Sequence, residues 1–370
     1  MRNRLALAKR IVIKIGSSSL TGGAGSELNP AAVDQLVDLV AATRSRGAEV
    51  AVVSSGAIAA GLASLGLKVR PNDLATQQAA AAVGQGLLIH RYTESFARHG
   101  ITASQILLTT QDVTHRSHYQ NAQRTLYRLL ALDVVPIINE NDTVGTQEIR
   151  FGDNDRLAAL VSLLIGADLL VLISDIDALY DAPPKNSGAR RISSVESVRD
   201  IDKSTLGGAG SSGVGSGGMV TKVEAAGIST GAGIPMLLTS LEHADRALLG
   251  EDIGTYFLAQ PSTKNSRHLW LAHASASHGR LVVDDGAVTA LIERGVSLLP
   301  AGVTKVEGEF SAGDAVEIVS ETGLVIARGL VAFDSSEIPQ MLGRSTKELA
   351  LKLGPEYERE LIHRDDLVLL

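Results

Sequence analysis

Apolar runs of strand length alternate with stretches of helical period over the first two-thirds of the chain. The runs are Arg10–Gly16 (RIVIKIG), Glu49–Ala57 (EVAVVSSGA), Val134–Asn139 (VVPIIN), Asp168–Ser174 (DLLVLIS) and Ile234–Ser240 (IPMLLTS). They are continuous rather than alternating, as strands buried on both faces are. One intervening helix is fully signposted. Asn29 is its expected N-cap, Pro30 its first helical position, Val33, Leu36, Val37, Val40 and Ala41 its apolar face, and Gly47 its stop. The pattern predicts an α/β fold, a mostly parallel sheet covered by helices on both faces. In such sheets ligands gather at the carboxyl ends of the strands.

Further along, the grammar changes. Short runs GRLVV, VTKVEGEF, AVEIVS and GLVIARGLVAF are separated by the turn signals SAGD and SETG, with one helix near Ala287–Arg294. This predicts a small β-rich unit of about 80 to 90 residues. The polar, Ser-rich stretch between Gln260 and Arg280 reads as the connection. The expected division is 1–262, a linker at 263–277, and 278–370. A length of 370 residues agrees with two or three domains at roughly 150 residues each.

Charge sharpens that division. The net charge is −7, and residues 276–370 hold nine basic and sixteen acidic residues, so the whole excess lies there. No cysteine is present, which excludes disulfides, thiolate metal sites and a cysteine nucleophile. The basic N-terminus lacks an apolar run of signal-peptide length, and no apolar run of about 18 residues occurs, so the expectation is a cytoplasmic protein with no membrane partner.

Three segments carry candidate chemistry. Lys14 lies inside an apolar strand just before Gly16 and the turn SSSLTGG. Desolvating an ammonium group costs several kcal/mol unless an anion is near, so Lys14 is either at a ligand edge or on an edge strand where its head reaches water. Gly210–Lys222 (GSSGVGSGGMVTK) runs into a helical pattern. It is either a flexible linker or an anion site of backbone amides at a helix N-terminus, with Lys222 in the first turn. It does not match the P-loop pattern, and its glycines do not directly follow a buried strand, which argues against a dinucleotide fingerprint. Ile138–Asp155 (INENDTVGTQEIRFGDND) crowds Asn, Asp and Glu between a strand and an apolar helix. Asp153 or Asn154 can serve as an N-cap there, while the repeated carboxylates and amides suit a polar substrate or Mg²⁺. Ser54, Ser55, Ser174 and Asp175 fall at strand-to-turn junctions on the same expected edge.

The motifs VIKIGSSSLT, VSSGAI, AAVGQ, INENDTV, FGDND, SDIDALY and GSGGMVTK occur in that order. With them, essentially the whole chain resembles the glutamate 5-kinase family, amino acid kinases carrying a C-terminal PUA domain. The resemblance implies ATP-dependent phosphorylation of the γ-carboxylate of L-glutamate to γ-glutamyl phosphate, the first step of proline biosynthesis. It implies that Lys14 and Lys222 stabilise the transferring phosphoryl group and that Asp155 organises them. Ser55, Asp142 and Asn154 would bind glutamate. Lys14, Ser174, Asp175, Ser216, Gly217, Gly218, Met219, Val220, Thr221 and Lys222 would contact ATP, and Asp153 would help place Mg²⁺. A homodimer or homotetramer and feedback inhibition by proline are further expectations of the family.

PUA domains elsewhere contact RNA, yet here the segment is acidic and holds only three aromatics, Phe310, Phe333 and Tyr357. A basic footprint and stacking platforms are lacking, so no nucleic acid is expected and a structural or regulatory role is. The rivals are a superfamily kinase with another acceptor, an RNA-binding protein with a vestigial kinase part, and an amino-acid sensor that consumes no ATP.

Overall fold

A computed structural model describes residues 2–21, 27–109, 112–113, 116–144, 154–183, 188–201, 218–261 and 277–370. The chain forms two compact units, residues 1–112 with 120–263, and residues 113–119 with 264–370. The expected linker falls largely on 262–276, outside the described residues.

In the first unit an eight-stranded sheet has the order β3-β4-β2-β1-β5-β9-β10-β8. Its strands are β1 (Arg10–Ile15), β2 (Glu49–Ser54), β3 (Ala103–Leu108), β4 (Val135–Glu140), β5 (Leu169–Ile173), β8 (Ser194–Val195), β9 (Met236–Thr239) and β10 (Thr255–Phe257). A separate small hairpin pairs β6 (Leu179–Tyr180) with β7 (Arg191–Ile192). From β3 to β9 every pairing is parallel; β10 turns antiparallel to β9. All five apolar runs are therefore strands, and their carboxyl ends share one edge. Lys14 pairs with Val53 on one side and Leu172 on the other, so its strand is central. The edge-strand explanation of this lysine is thereby removed.

Helices α1 (Ser17–Leu20), α2 (Pro30–Ser45), α3 (Ala57–Leu62), α4 (Leu74–Ala97), α5 (Arg116–Ala131), α6 (Asn154–Leu164) and α7 (Met219–Gly231) connect the strands. At the start of α2, the Asn29 side chain accepts from the Ala31 amide. Val33, Leu36, Val37 and Val40 are buried in the core beneath β1 and β2, each worth roughly 1.5–3 kcal/mol relative to exposure. Between β2 and α3 the chain turns at Gly56 with φ +98°, a backbone conformation that disfavours other residues. Helices α3 and α4 then cross almost in backbone contact. A Cβ on Gly84 would lie 1.7 Å from the Ala57 carbonyl oxygen, and one on Gly61 would lie 2.0 Å from that of Ala80. The AAVGQ motif is thus a packing device that brings α4 against the start of α3.

The second unit contains a five-stranded sheet, order β12-β11-β13-β14-β15, built from β11 (Gly279–Val283), β12 (Val303–Gly308), β13 (Ala315–Ser320), β14 (Val325–Leu330) and β15 (Leu367–Leu369). Only β11 and β13 run parallel. The four expected runs are strands, and the expected helix is α9 (Asp285–Arg294), following the short α8 (Ala244–Leu248) of the first unit. Strand β15 and helix α10 (Thr346–Leu353), which starts with a capping box of Ser345 and Glu348, are additions to the expectation.

Candidate active site

The carboxyl ends of β1, β2, β4, β5 and β9 carry most of the chemistry singled out in the sequence. Lys14, the penultimate residue of β1, places Nζ 2.5 Å from Asp155 Oδ1. Lys222, in the first turns of α7, places Nζ 3.1 Å from Asp155 Oδ2. Asp155 stands in the first turn of α6 and is fully buried, and both lysines are nearly so. Two ammonium groups 208 positions apart thus meet on one carboxylate. All three groups are desolvated, and a buried charge is costly unless it is paired.

Backbone geometry adds to that field. At the N-terminus of α7, Gly218 has no side chain with which to cap the leading amides, and the positive end of a helix dipole favours an anion. Thr221 Oγ1 donates to the Gly218 carbonyl at 2.8 Å and lies 3.2 Å from Asp155 Oδ2, which ties this helix start to the carboxylate. Gly16 follows Lys14 directly; a Cβ there would come within 3.8 Å of Lys14 Nζ. Its amide donates to the Ile173 carbonyl at 3.2 Å, which joins the ends of β1 and β5.

One residue before Asp155, the Asn154 amide nitrogen donates toward three oxygens: the Ser54 carbonyl at 3.0 Å, Ser55 Oγ at 2.9 Å and Asn139 Oδ1 at 3.0 Å. Asn154 is thus the first residue of α6, and its side chain spans the ends of β2 and β4. The carbonyl oxygen of Asn154 and the amide nitrogen of Asn139 have no partner among the described residues. Both are shielded from water, so they are an acceptor and a donor that suit a zwitterionic ligand.

On the other side of β1, Ser174 is buried at the end of β5, and its hydroxyl donates to Asp175 Oδ1 at 3.0 Å. The Ser174 amide donates to the Thr239 carbonyl at 3.0 Å, so β5 and β9 end together. Asp175 is exposed.

The amino acid kinase family model matches residues 9–240, and the PUA domain model matches residues 279–351. A glutamate 5-kinase of Streptomyces avermitilis is 60% identical over 370 residues, covering 100% of this chain and 98% of that protein. The chain belongs to the glutamate 5-kinase family. A second member, from Salinispora arenicola, is 58% identical over 370 residues and covered in full on both sides. Among solved structures, a carbamate kinase from Giardia lamblia bound to AMP-PNP shares the fold. It has 17% identity and a TM-score of 0.52, with 69% of this chain and 100% of that one covered.

Against the family expectations, the structure brings Lys14, Lys222 and Thr221 together on Asp155, and Ser55 onto Asn154, the two groups adjoining at chain positions 154 and 155. Asp142 lies two residues beyond β4, half-buried. Gly218, Met219 and Val220 form the start of α7, with Val220 exposed. Ser216, Gly217 and Asp153 lie outside the described residues. Two further residues of the site were not singled out in the sequence. Asn139, the penultimate residue of the buried strand β4, lies inside the INENDTV motif beside carboxylates with more conspicuous chemistry. Tyr92, which reaches Ser54, sits mid-helix among core residues and reads from sequence as packing alone.

Proposed function

We propose that this chain transfers the γ-phosphoryl group of ATP to the γ-carboxylate of L-glutamate, giving γ-glutamyl phosphate and ADP, the first step of proline biosynthesis. What carries the reading is the meeting of Lys14 and Lys222 on the buried Asp155 in a member of this family. A glutamate carboxylate, with an ordinary pKa of about 4.3, is already ionised at neutral pH, so its oxygen attacks the γ-phosphorus without a general base. The bond from phosphorus to the β,γ-bridging oxygen breaks, and negative charge moves toward that oxygen. Approach of two anions and this shift of charge are what the site has to offset.

Lys14 and Lys222 take that part in our assignment, held apart and in place by Asp155. The amides at the start of α7, with Gly218 to Lys222, face the phosphates, and Ser174 and Asp175 contact the nucleotide. Ser216 and Gly217 join them by family resemblance. Ser55, Asp142 and Asn154 hold glutamate, the first two through its amino-acid end, with the unpartnered Asn154 oxygen an acceptor suited to an ammonium group. Both Asp155 oxygens already face cations and Thr221, and no group of three metal-ligating side chains occurs among the described residues. Mg²⁺ brought in on the triphosphate would need only one or two protein carboxylates; Asp153 is our candidate for one. The ion supplies further neutralisation of the phosphate oxygens.

By the same family kinship we assign a cytoplasmic homodimer or homotetramer, inhibited by proline, with its domain boundary within 263–277. No helix among the described residues is long and apolar enough to cross a membrane. The deciding experiment is ADP release with glutamate, N-acetylglutamate, aspartate and UMP as separate acceptors. Glutamate alone should support turnover, and equal or faster turnover with another acceptor would overturn the assignment.

A further inference from the structure

Ser55 stands at a sharp turn, and what keeps that turn in place lies beneath it. The Tyr92 hydroxyl, from α4, is 3.0 Å from Ser54 Oγ. Ser54 has one hydroxyl proton, and it points to the Ser55 carbonyl at 3.0 Å, so Tyr92 is the donor and Ser54 the acceptor. Burial pushes the Tyr92 phenol above its ordinary pKa, against a smaller opposing effect of the Ser54 bond, and so keeps the proton on. Above this pair, the Ser54 carbonyl and Ser55 Oγ both accept from the Asn154 amide. Because Ser55 Oγ accepts in this contact, its own hydroxyl proton is not used there.

Tyr92 and Ser54 are both 0% exposed, so neither touches a ligand. Packing alone asks only for a ring at position 92, where Phe96 stacks at 6.4 Å. The hydroxyl is an addition to that packing, and its described partner is Ser54. Helix α4 also grips the same junction two turns earlier, where Gly84 meets Ala57. The β2–α3 junction is thus held at Ala57 by close packing and at Ser54 by a directed hydrogen bond.

We propose that Tyr92 is a positioning residue for the acceptor subsite: its hydroxyl fixes Ser54, and through it the Ser55 hydroxyl and Asn154 amide that hold glutamate. This rests on the glutamate assignment made above. It separates Tyr92 from the phosphoryl-transfer side, because none of these contacts runs through Lys14, Lys222 or Asp155.

The test compares Tyr92→Phe, Ser54→Ala and the double variant with the unsubstituted chain, well below their unfolding temperatures. Tyr92→Phe should raise the KM for glutamate about threefold to tenfold, the scale of one buried hydrogen bond. The KM for ATP should stay the same and kcat should change less than twofold. The double variant should show no larger effect than the stronger single one, since both remove the same link. An unchanged glutamate KM in Tyr92→Phe, equal rises for both substrates, or singly independent effects that multiply would overturn the inference. If Tyr92→Phe does not fold, Ser54→Ala carries the same KM criterion. Absence of glutamate-dependent ADP release in the unsubstituted chain would overturn the functional assignment itself; normal release with an unmoved KM in the variants overturns only the role of Tyr92.

Discussion

Lys14, Asp155 and Lys222 show how much of a site a single buried carboxylate can organise. If Lys14 takes part of the charge developed on the phosphates, Lys14→Ala should lower kcat by about 100-fold or more while circular dichroism stays native, the scale of losing one charge-stabilising donor; near-normal turnover would refute the role. Asp142→Ala should instead raise the KM for glutamate and leave that for ATP in place, which steady-state kinetics with each substrate varied in turn will read. The lysines were legible in the sequence because an ammonium inside RIVIKIG and another after a glycine run both violate the apolar or disordered surroundings that would otherwise explain them. Tyr92 and Asn139 violate nothing. A tyrosine in an amphipathic helix and an asparagine at a strand end are ordinary, and only the three-dimensional contact with Ser54 or Asn154 gives them a task.

At the scale of elements, glycines two residues apart on α4 face different surroundings. Gly84 lies against the Ala57 carbonyl, whereas a Cβ on Gly86 would meet nothing within 4 Å. Gly84→Ala should therefore force α3 and α4 apart and cost about 1–3 kcal/mol or more. Gly86→Ala should be neutral or stabilise by about 0.4–1 kcal/mol through the unfolded chain. Urea titration of both variants separates the two cases. Central strands β1, β2, β4, β5 and β9 were readable because burial on both faces leaves a continuous apolar run. Strand β3 was not: it is an edge strand, Ala103–Leu108, with half-exposed positions and Ser104 and Gln105 in its middle. Strand β10 has only three residues and runs against the parallel rhythm, and the closing strand β15 is as short. None of the three carries enough periodicity to be distinguished from loop.

For the molecule as a whole, the response to acid follows from carboxylates held below their ordinary range. Asp34, on α2, is lowered first by the hydrogen bond from Ser95 and then by Arg91 and Arg98 of the α4 end, at 2.6, 2.5 and 3.1 Å. A carboxyl depressed in the folded state adds stability above its unfolded pKa of about 3.9 and loses it as pH falls through the lower folded value. The unfolding temperature should thus fall from pH 5 toward pH 2, and Asp34→Asn should flatten part of that fall while lowering the plateau at neutral pH. Thermal melts across this range decide it, with the exposed half of the ion network contributing little. The buried trio responds to a different variable. Two ammonium groups meet there at the start of a helix, a setting that favours a small oxyanion, and one that binds the folded chain should stabilise it. Melting temperature should rise with phosphate or sulfate more than with the same ionic strength of chloride. That difference should shrink in Lys14→Ala, so the choice of buffer becomes a variable in any comparison of its stability.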